Sequence, residues 1–369
     1  MSPLRFHRLA AAGLVLAASA AAARAGAPPV LLHARLEARS VAPGGMAAAM
    51  RDLAAGPSRW IAWAAPLEDR KQRMCCLECA GFPAAVRSAA AGGCRLGQRG
   101  GWNLRSGDDD LPILLEAPAD FLVFAKTSGG QIEDLRVFSS DCPIDAEGAA
   151  VIWLDGVRPE EGVPWLETLL SSTGDGEDLR DVPQSAVAAI ALQAGPAADA
   201  ALRRAVAPDR PLALRDRAAF WLAEARGESG CAILLRIVPG DSDARFREKG
   251  TFALSRCRGE AAVAALVGLA RRDAASDVRS RALFWLAQAA GRKAAAAIDD
   301  AIRDDPDTEV KKQAVFALTQ MPESEGVPQL IRVARTNRNP EVRERAVFWL
   351  GQSRDPRALD FIEEILSSP

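Results

Sequence analysis

Cysteine is the residue type whose spacing in this sequence most directly suggests chemistry. Five of the seven cysteines fall in one stretch, at Cys75, Cys76, Cys79, Cys94 and Cys142. In a chain that reaches an oxidising compartment, such clustering indicates disulfide bonds. Adjacent cysteines do not easily bond to each other, so we expect Cys75 and Cys76 to reach distant partners, with Cys94 and Cys142 as the leading candidates. Cys79 is then the fifth cysteine of the stretch, for which no pairing is predicted.

The same stretch has two alternative chemistries. Cys76 and Cys79 have the C-x-x-C spacing of half a zinc site and of a thiol oxidoreductase motif. No second C-x-x-C follows, no histidine is near, and a charged run over residues 68–71 precedes the pair. We therefore expect disulfides and assign no catalytic residue, no cofactor-binding residue and no metal ligand. Cys231 and Cys257, farther along the chain, fit either another disulfide or two buried thiols.

The charge balance argues against nucleic-acid binding, and the low histidine content argues against most histidine-dependent sites. The sequence has 46 basic and 48 acidic residues, so it does not predict the basic face that nucleic acid requires. It has only two histidines, which excludes most histidine-dependent catalytic and metal sites. The acidic runs 108–110 and 175–178 lack the ligand spacing of a calcium-binding loop and are expected to be solvated turns.

Residues 1–25 have the order of a secretory signal peptide. Basic residues precede an apolar run over 9–23, and the small residues Ala23 and Ala25 predict cleavage after Ala25. Removing the three arginines of this segment lowers the basic count from 46 to 43, against 48 acidic residues. We expect a periplasmic or secreted protein without stable membrane insertion after cleavage. A retained signal anchor is the alternative.

Residues 26–170 carry mixed strand and helix patterns and are predicted to form a small α+β domain that contains disulfides. Alternating apolar residues over 30–39 predict a half-buried strand. Ser128, Gly129 and Gly130 supply the turn chemistry of a hairpin. Further strands are expected at 60–64, 121–126, 135–138 and 149–154, and helices at 46–54 and 163–170. The polar segment 171–183, with two glycines and a proline, is the predicted linker.

Beyond the linker the sequence repeats with a period of 32 residues. Three columns recur at this spacing: Phe220, Phe252, Phe284, Phe316 and Phe348; Arg215, Arg247, Arg279, Lys311 and Arg343; Asp209, Asp241, Asp273, Asp305 and Asn337. Each copy has two apolar stripes with helical spacing, as at Val278, Ala282 and Leu286. One hairpin cannot bury both stripes, so about six helical hairpins over 184–369 are expected to stack as a solenoid.

The copy around Val278, Arg279, Ala282 and Leu286 resembles HEAT repeats, more narrowly the short HEAT-like repeats of bacterial proteins, including those of phycobilisome lyases. The resemblance covers roughly residues 184–367 and implies an all-α HEAT-like helical solenoid, which is expected to follow the α+β N-terminal domain predicted from the strand and helix patterns. It also implies that the aspartate and arginine columns stitch neighbouring copies together, with Arg279 meeting acids such as Asp273. A bilin-lyase-like enzyme is the function that it implies least, because those lyases act on cytosolic proteins and this chain is expected to be exported.

Two sets of residues are candidates for binding a partner. The first is the phenylalanine column, which lies beside the inward stripe; the neighbouring Trp221, Trp285 and Trp349 alternate with alanines and are expected in the core. The second set lies at the ends of second helices and can either grip acidic groups or simply complement the helix dipole: Arg271, Arg303, Arg332 and Arg335. We expect a non-catalytic exported scaffold for an unidentified protein or peptide. The alternative is a disulfide-stapled sensor or thiol-redox domain supported by the solenoid.

Overall fold

The structure of the protein, a computed structural model, describes residues 29, 31–68, 94–97, 119–140, 142, 144–171, 181–290 and 292–367. Within these ranges a region of mixed strands and helices is followed by paired helices, so the predicted fold class is confirmed. The predicted signal peptide and the acidic runs 108–110 and 175–178 lie outside the described residues.

The described strands form two sheets. They are β1 (Leu31–Leu32), β2 (Arg35–Ser40), β3 (Arg59–Pro66), β4 (Cys94–Arg95), β5 (Asp120–Ser128), β6 (Gln131–Ser139), β7 (Ile144–Asp145) and β8 (Ala150–Asp155). The larger sheet has the order β2-β8-β3-β5-β6, with β2, β8 and β3 parallel and β5 antiparallel to both β3 and β6. The smaller sheet, β1-β7-β4, is parallel.

The local signals around the larger sheet are confirmed closely. Gly129 and Gly130 form the two-residue turn between β5 and β6, with φ of 58° and 84°, the positive values that favour glycine in a tight hairpin. The helix expected at 46–54 is α1 (Met46–Ala54). The helix expected at 163–170 is α2 (Pro159–Thr168), extended by a 3₁₀ turn over Leu169–Ser171.

The strand expected over 30–39 is present as two strands, β1 and β2, but the expectation that it is half-buried is wrong for β2. His33, with φ of 50°, separates β1 from β2, and all six residues of β2 are exposed. Leu36, on the predicted apolar face, is 42% exposed. β2 is exposed because it is the edge strand of the larger sheet, and the elements that cover the central strands do not cover it. Alternation of apolar residues shows that one face can be buried, whereas burial itself requires an element on top of that face.

Both faces of the central strands are covered. Ile61 and Trp63 of β3 belong to a core that also contains α1, α2 and the first helix of the solenoid, and Trp63 packs edge-on against Trp165 of α2, with ring centroids 5.4 Å apart. Trp60 and Ala62, on the opposite face, belong to a second core that includes the smaller sheet. The alternation along β3 therefore divides its side chains between two different layers.

The helical region consists of six consecutive hairpins in the described chain. Their first helices are α3 (Asp181–Leu192), α5 (Leu212–Ala225), α7 (Ala244–Arg256), α9 (Ser276–Ala290), α11 (Thr308–Leu318) and α13 (Pro340–Gln352). Their second helices are α4 (Pro196–Ala205), α6 (Gly227–Ile237), α8 (Glu260–Arg272), α10 (Arg292–Asp304), α12 (Glu323–Thr336) and α14 (Pro356–Ser367). None of the helices described is long and apolar enough to cross a membrane.

The sheet region and the solenoid share one hydrophobic core. Helix α3 packs against β6 on one side and α5 on the other, and this is why Ala186 to Leu192 are almost completely buried. Arg226, which is 3% exposed, bonds to residues on both sides of this junction. Its guanidinium donates to the carbonyl oxygen of Gln193 at 2.6 Å and forms ion pairs with Asp199 at 2.8 Å and with Glu68 at 3.2 Å. A buried arginine that joins three segments makes this junction specific.

Candidate interaction surface

A ladder of arginine–aspartate pairs joins successive hairpins. Nε and one terminal nitrogen of Arg279 donate to the carboxylate of Asp305 at 2.7 and 2.9 Å, and the other terminal nitrogen donates to the carbonyl oxygen of Asp273 at 2.9 Å. Arg247 holds the Asp273 carboxylate in the same way, at 2.7 Å twice. The implied contact between Arg279 and Asp273 is therefore made through the backbone, and the carboxylate partner comes from the loop that leads to the following hairpin.

Pairing in the ladder lowers the pKa of an aspartate and raises the pKa of an arginine. Burial alone would raise the pKa of Asp273, but hydrogen bonds from Arg247 and from the Ala275 backbone N–H outweigh it, so the pKa lies below its usual 3.8. The hydrogen bond to Asp305 raises the pKa of Arg279. Each carboxylate also accepts from a backbone N–H in its own loop, as Asp305 does from Asp307 at 2.9 Å. These columns hold the solenoid together.

The next rung of the ladder has different chemistry. Lys311 stands in the arginine column and donates to the carbonyl oxygen of Arg303 at 3.0 Å. Asn337 stands in the aspartate column and donates from its amide to the carbonyl oxygen of Ile302 at 3.3 Å. At this rung an ammonium group and an amide, each donating to a main-chain carbonyl oxygen, thus replace the buried ion pair.

On the first helices, eight aromatic side chains form a continuous row, which we call the aromatic ridge. Its members, in order of contact, are Trp221, Phe220, Phe252, Trp285, Phe284, Phe316, Trp349 and Phe348. Phe220 stacks on Phe252 with centroids 6.1 Å apart, and the equivalent pair two hairpins later, Phe284 and Phe316, stacks at 5.9 Å. The ridge therefore has a structural period of two hairpins.

Tryptophan and alanine alternate beside the phenylalanines and set this longer period. Trp221 is 3% exposed, as expected for a core residue. Trp285 and Trp349 are only half-buried, so the expectation of core positions is wrong for them. Their rings pack instead on Phe252 and Phe316 of the preceding hairpin, at 4.7 and 5.0 Å, because that hairpin has a buried alanine at the tryptophan position.

The ridge is open to solvent along part of its surface. Its phenylalanines from Phe220 to Phe316 are half-buried, and Phe348 is 52% exposed. Arg345 lies over the Phe348 ring at 6.0 Å from the centroid. The structure thus places the whole predicted phenylalanine column on one face of the solenoid and adds two half-buried tryptophans to it.

Sequence reasoning missed a polar column that runs beside the ridge. Gln288, Gln320 and Gln352 follow Phe284, Phe316 and Phe348 by four residues. Gln288 and Gln352 lie one helical turn after their phenylalanines, whereas Gln320 lies in the turn that follows α11. The amide of Gln288 donates to the side-chain oxygen of Gln320 at 3.3 Å. The signal for this column, recurrence at the 32-residue period, is present in the sequence.

The predicted arginine set lies on second helices and is engaged with acids. Arg303 pairs with Asp299, Asp300 and Asp304, Arg271 with Asp300, Arg332 with Asp299 at 2.6 Å, and Arg335 with Glu364 at 2.5 Å. All four side chains remain 41–59% exposed. Intramolecular carboxylates therefore compete with any acidic group of a partner for these arginines.

The structure describes only some of the cysteines that were predicted to form disulfides. Cys75, Cys76 and Cys79 lie outside the described residues. Cys94 begins β4, and Cys142 is buried and disulfide-bonded. Cys231 of α6 is bonded to Cys257, which follows α7, so this disulfide ties one hairpin to the next. Across the described ranges no cluster of three or more possible metal ligands occurs.

A family model agrees with the repeat architecture, and several solved structures are similar to part of the chain. A family model described as HEAT repeats matches residues 295–369. Among solved structures, an engineered protein is 21% identical, with 55% of this chain and 96% of that chain covered and a TM-score of 0.28. The CpcE–CpcF complex of phycocyanin lyase from Nostoc sp. PCC7120 is 20% identical (53% and 76% covered, TM-score 0.31). Kap121p bound to Pho4p is 12% identical (56% and 27% covered, TM-score 0.39). No curated protein matches the chain.

Proposed function

We propose that this HEAT-like repeat protein is an exported, non-catalytic scaffold that binds another protein along the aromatic ridge. The observation that carries the proposal is the unbroken row of eight rings on one face of the solenoid. Aromatic side chains supply large contact area at low cost in conformational entropy, and they dominate the binding energy of protein interfaces.

The surroundings of the ridge support the same proposal. Polar residues flank the rings, as at Gln288 and Gln320, which gives the arrangement of an apolar centre with a polar rim that protein interfaces have. The rings are fixed by contact with one another along the helices that carry them, so little order has to be imposed when a partner binds.

Export and the lack of catalysis are parts of the proposal with separate support. The disulfide between Cys231 and Cys257, together with the bonded Cys142, fits an oxidising compartment and the signal-like first 25 residues. Buried charged groups of the solenoid are engaged in its structure: Arg215 with Asp241, and Arg279 with Asp305. Such pairs serve stability in a repeat array, which is the role we assign to them.

Affinity capture with the full-length chain tests this function. The bait is presented to a periplasmic or secreted extract of the source organism as wild type, as Phe316→Ala/Phe348→Ala, and as the control Leu359→Ala. Leu359 is 59% exposed on α14, a second helix, so this control removes an exposed apolar side chain that does not belong to the ridge. We expect the ridge variant to lose a partner that wild type and control both retain.

The opposite result would assign binding elsewhere. If the ridge variant, checked for folding by circular dichroism, retains every partner at wild-type level, the ridge is not the interface. A partner that depends on the cysteine-rich region instead would favour the alternative of a sensor or thiol-redox domain supported by the solenoid.

A further inference from the structure

The two edge strands of the larger sheet have different surroundings. At one end β6 contacts α3, and its last three residues are buried. At the other end all six residues of β2 are exposed, and in the part of the chain that the structure describes β8 is the only strand that pairs with β2. An edge strand presents unpaired N–H and C=O groups to which another strand can bond. The outer side of β2, which we call the open edge, is therefore a candidate interface.

The hydrogen bonds to β8 show which residues of β2 face the open edge. The N–H of Arg35 donates to the carbonyl oxygen of Ala149 at 3.0 Å, and the N–H of Val41 donates to that of Asp155 at 2.8 Å. Main-chain groups of successive residues in a strand point to opposite sides, so the odd-numbered residues of β2 direct theirs to β8. The main-chain groups that point to the open edge belong to Leu36, Ala38 and Ser40.

Charges that alternate in sign along one face of β2 make this strand complementary to an antiparallel copy of itself. Arg35, Glu37 and Arg39 lie on that face, and Nε of Arg39 donates to Glu37 at 2.8 Å with both side chains exposed. A parallel copy in register sets each charge opposite its equivalent, which destabilises a sheet. An antiparallel copy centred on Ala38 sets Glu37 of each strand opposite Arg39 of the other. The same register pairs Leu36 with Ser40, so every outward main-chain group of β2 gains a partner.

Other antiparallel registers fit this strand less well. A register centred on Glu37 sets that residue opposite its equivalent and Arg35 opposite Arg39, so all the facing charges are alike. A register centred on Leu36 sets Arg35 opposite Glu37, but its next main-chain pair needs Ala34. That residue precedes β2 and follows His33, whose φ of 50° is not that of a strand. The register centred on Ala38 is satisfied by residues of β2 alone.

We infer that a second copy of this chain binds the open edge of β2 in antiparallel orientation, centred on Ala38, and joins two larger sheets into one. The interface is symmetric, because the same strand supplies both sides. Leu36, which is 42% exposed, lies on the face of Val151 and Trp153 of β8, and Ala38 of the second copy is its diagonal neighbour there. The inference goes beyond the proposed function and does not depend on the ridge.

Sedimentation velocity of the full-length chain over a series of concentrations tests the inference. We expect a reversible dimer at concentrations up to about 100 µM. Glu37→Arg sets like charges opposite each other twice and should raise the Kd of the dimer at least about tenfold. Glu37→Arg/Arg39→Glu exchanges the two charges, restores both opposite-charge pairs and should return the Kd close to the wild-type value. Arg35→Glu/Glu37→Arg leaves like charges facing Arg39 and should not restore it.

Ala38→Pro tests the main-chain bonds separately from the charges. It removes an N–H that faces the open edge and keeps the bonds to β8, so it should abolish the dimer while the circular dichroism of the chain stays the same. Glu363→Arg, a charge reversal at an exposed position of α14, is the matched control and should leave the dimer unchanged. The inference is overturned if wild type stays monomeric up to about 100 µM. It is also overturned if folded Glu37→Arg or Ala38→Pro dimerises as wild type does, or if exchanging the charges of Glu37 and Arg39 fails to restore the dimer.

Discussion

Removing one carboxylate from the ladder is the sharpest test of how the solenoid holds together. In Asp305→Ala, the guanidinium of Arg279 loses the two hydrogen bonds of 2.7 and 2.9 Å that it donates to Asp305. Both side chains are buried, at 10% and 5% exposure, so the arginine is left as a desolvated charge without its counter-ion. Removal of one partner from a buried pair costs about 3–5 kcal/mol.

The structure places this variant near the lower end of that range. Arg279 keeps the carbonyl oxygens of Asp273 and Ala274, at 2.9 and 3.3 Å, so part of its hydrogen bonding survives. We therefore expect a loss of about 3 kcal/mol in the free energy of unfolding, measured by urea denaturation followed by circular dichroism.

Two further variants distinguish the effect of breaking a buried ion pair from the effect of removing a charge. Arg303→Ala removes an arginine that is 59% exposed and pairs only with exposed or half-exposed acids, so the loss should be below about 1 kcal/mol. Arg279→Lys/Asp305→Asn copies the natural Lys311–Asn337 rung and should lose less than half as much as Asp305→Ala. If Asp305→Ala destabilises no more than Arg303→Ala, the ladder does not stabilise the solenoid as argued.

Three other outcomes follow from named contacts. Cys231→Ser/Cys257→Ser should lower the free energy of unfolding by about 3 kcal/mol, since the disulfide closes a separation of 26 residues, and added reductant should then have no further effect through this pair. Phe252→Ala removes a ring that lies between Phe220 and Trp285 and should lower the free energy of unfolding by about 2–4 kcal/mol. Phe348→Ala removes a ring that is 52% exposed and should lower it by less than about 1 kcal/mol. Equal losses for the two variants in urea melts would refute this difference. The pKa of Asp273 is lower in the folded chain than its unfolded value near 3.8. The contribution of Asp273 to the free energy of unfolding is therefore complete above pH 3.8 and is lost as the pH falls through the folded pKa. Urea melts between about pH 3 and 6 should show that Asp273→Asn loses less stability on acidification than wild type does.

The fold was predictable where the signal is local or periodic. The 32-residue recurrence predicts stacked hairpins because a single pair of helices cannot bury its two stripes. Helix α1 and the Gly129–Gly130 turn follow from helical spacing and from glycine's access to positive φ. The exposure of β2 did not follow, because the order of strands in the sheet decides which strand lies at the edge.

The candidate site was predictable in part. The phenylalanine column was identified from spacing alone, and its rings do share one face. The glutamine column was equally visible as a recurrence but carries no hydrophobic signal that would draw attention to it. The partial exposure of Trp285 and Trp349 depends on which side chain the neighbouring hairpin presents, and a helical stripe within one hairpin does not specify that.

The repeat, its period, the residue types in each column and the separation into a mixed region and a helical region all follow from the amino-acid sequence. The contacts between columns are set by the tertiary structure. It pairs Arg279 with the aspartate in the loop before the next hairpin, joins eight rings into one ridge, and places Arg226 between Glu68 of the sheet region and Asp199 of the first hairpin. The physical reason is that periodicity fixes which face of a helix a residue occupies, whereas contacts between hairpins depend on their relative placement, which packing of the whole array sets.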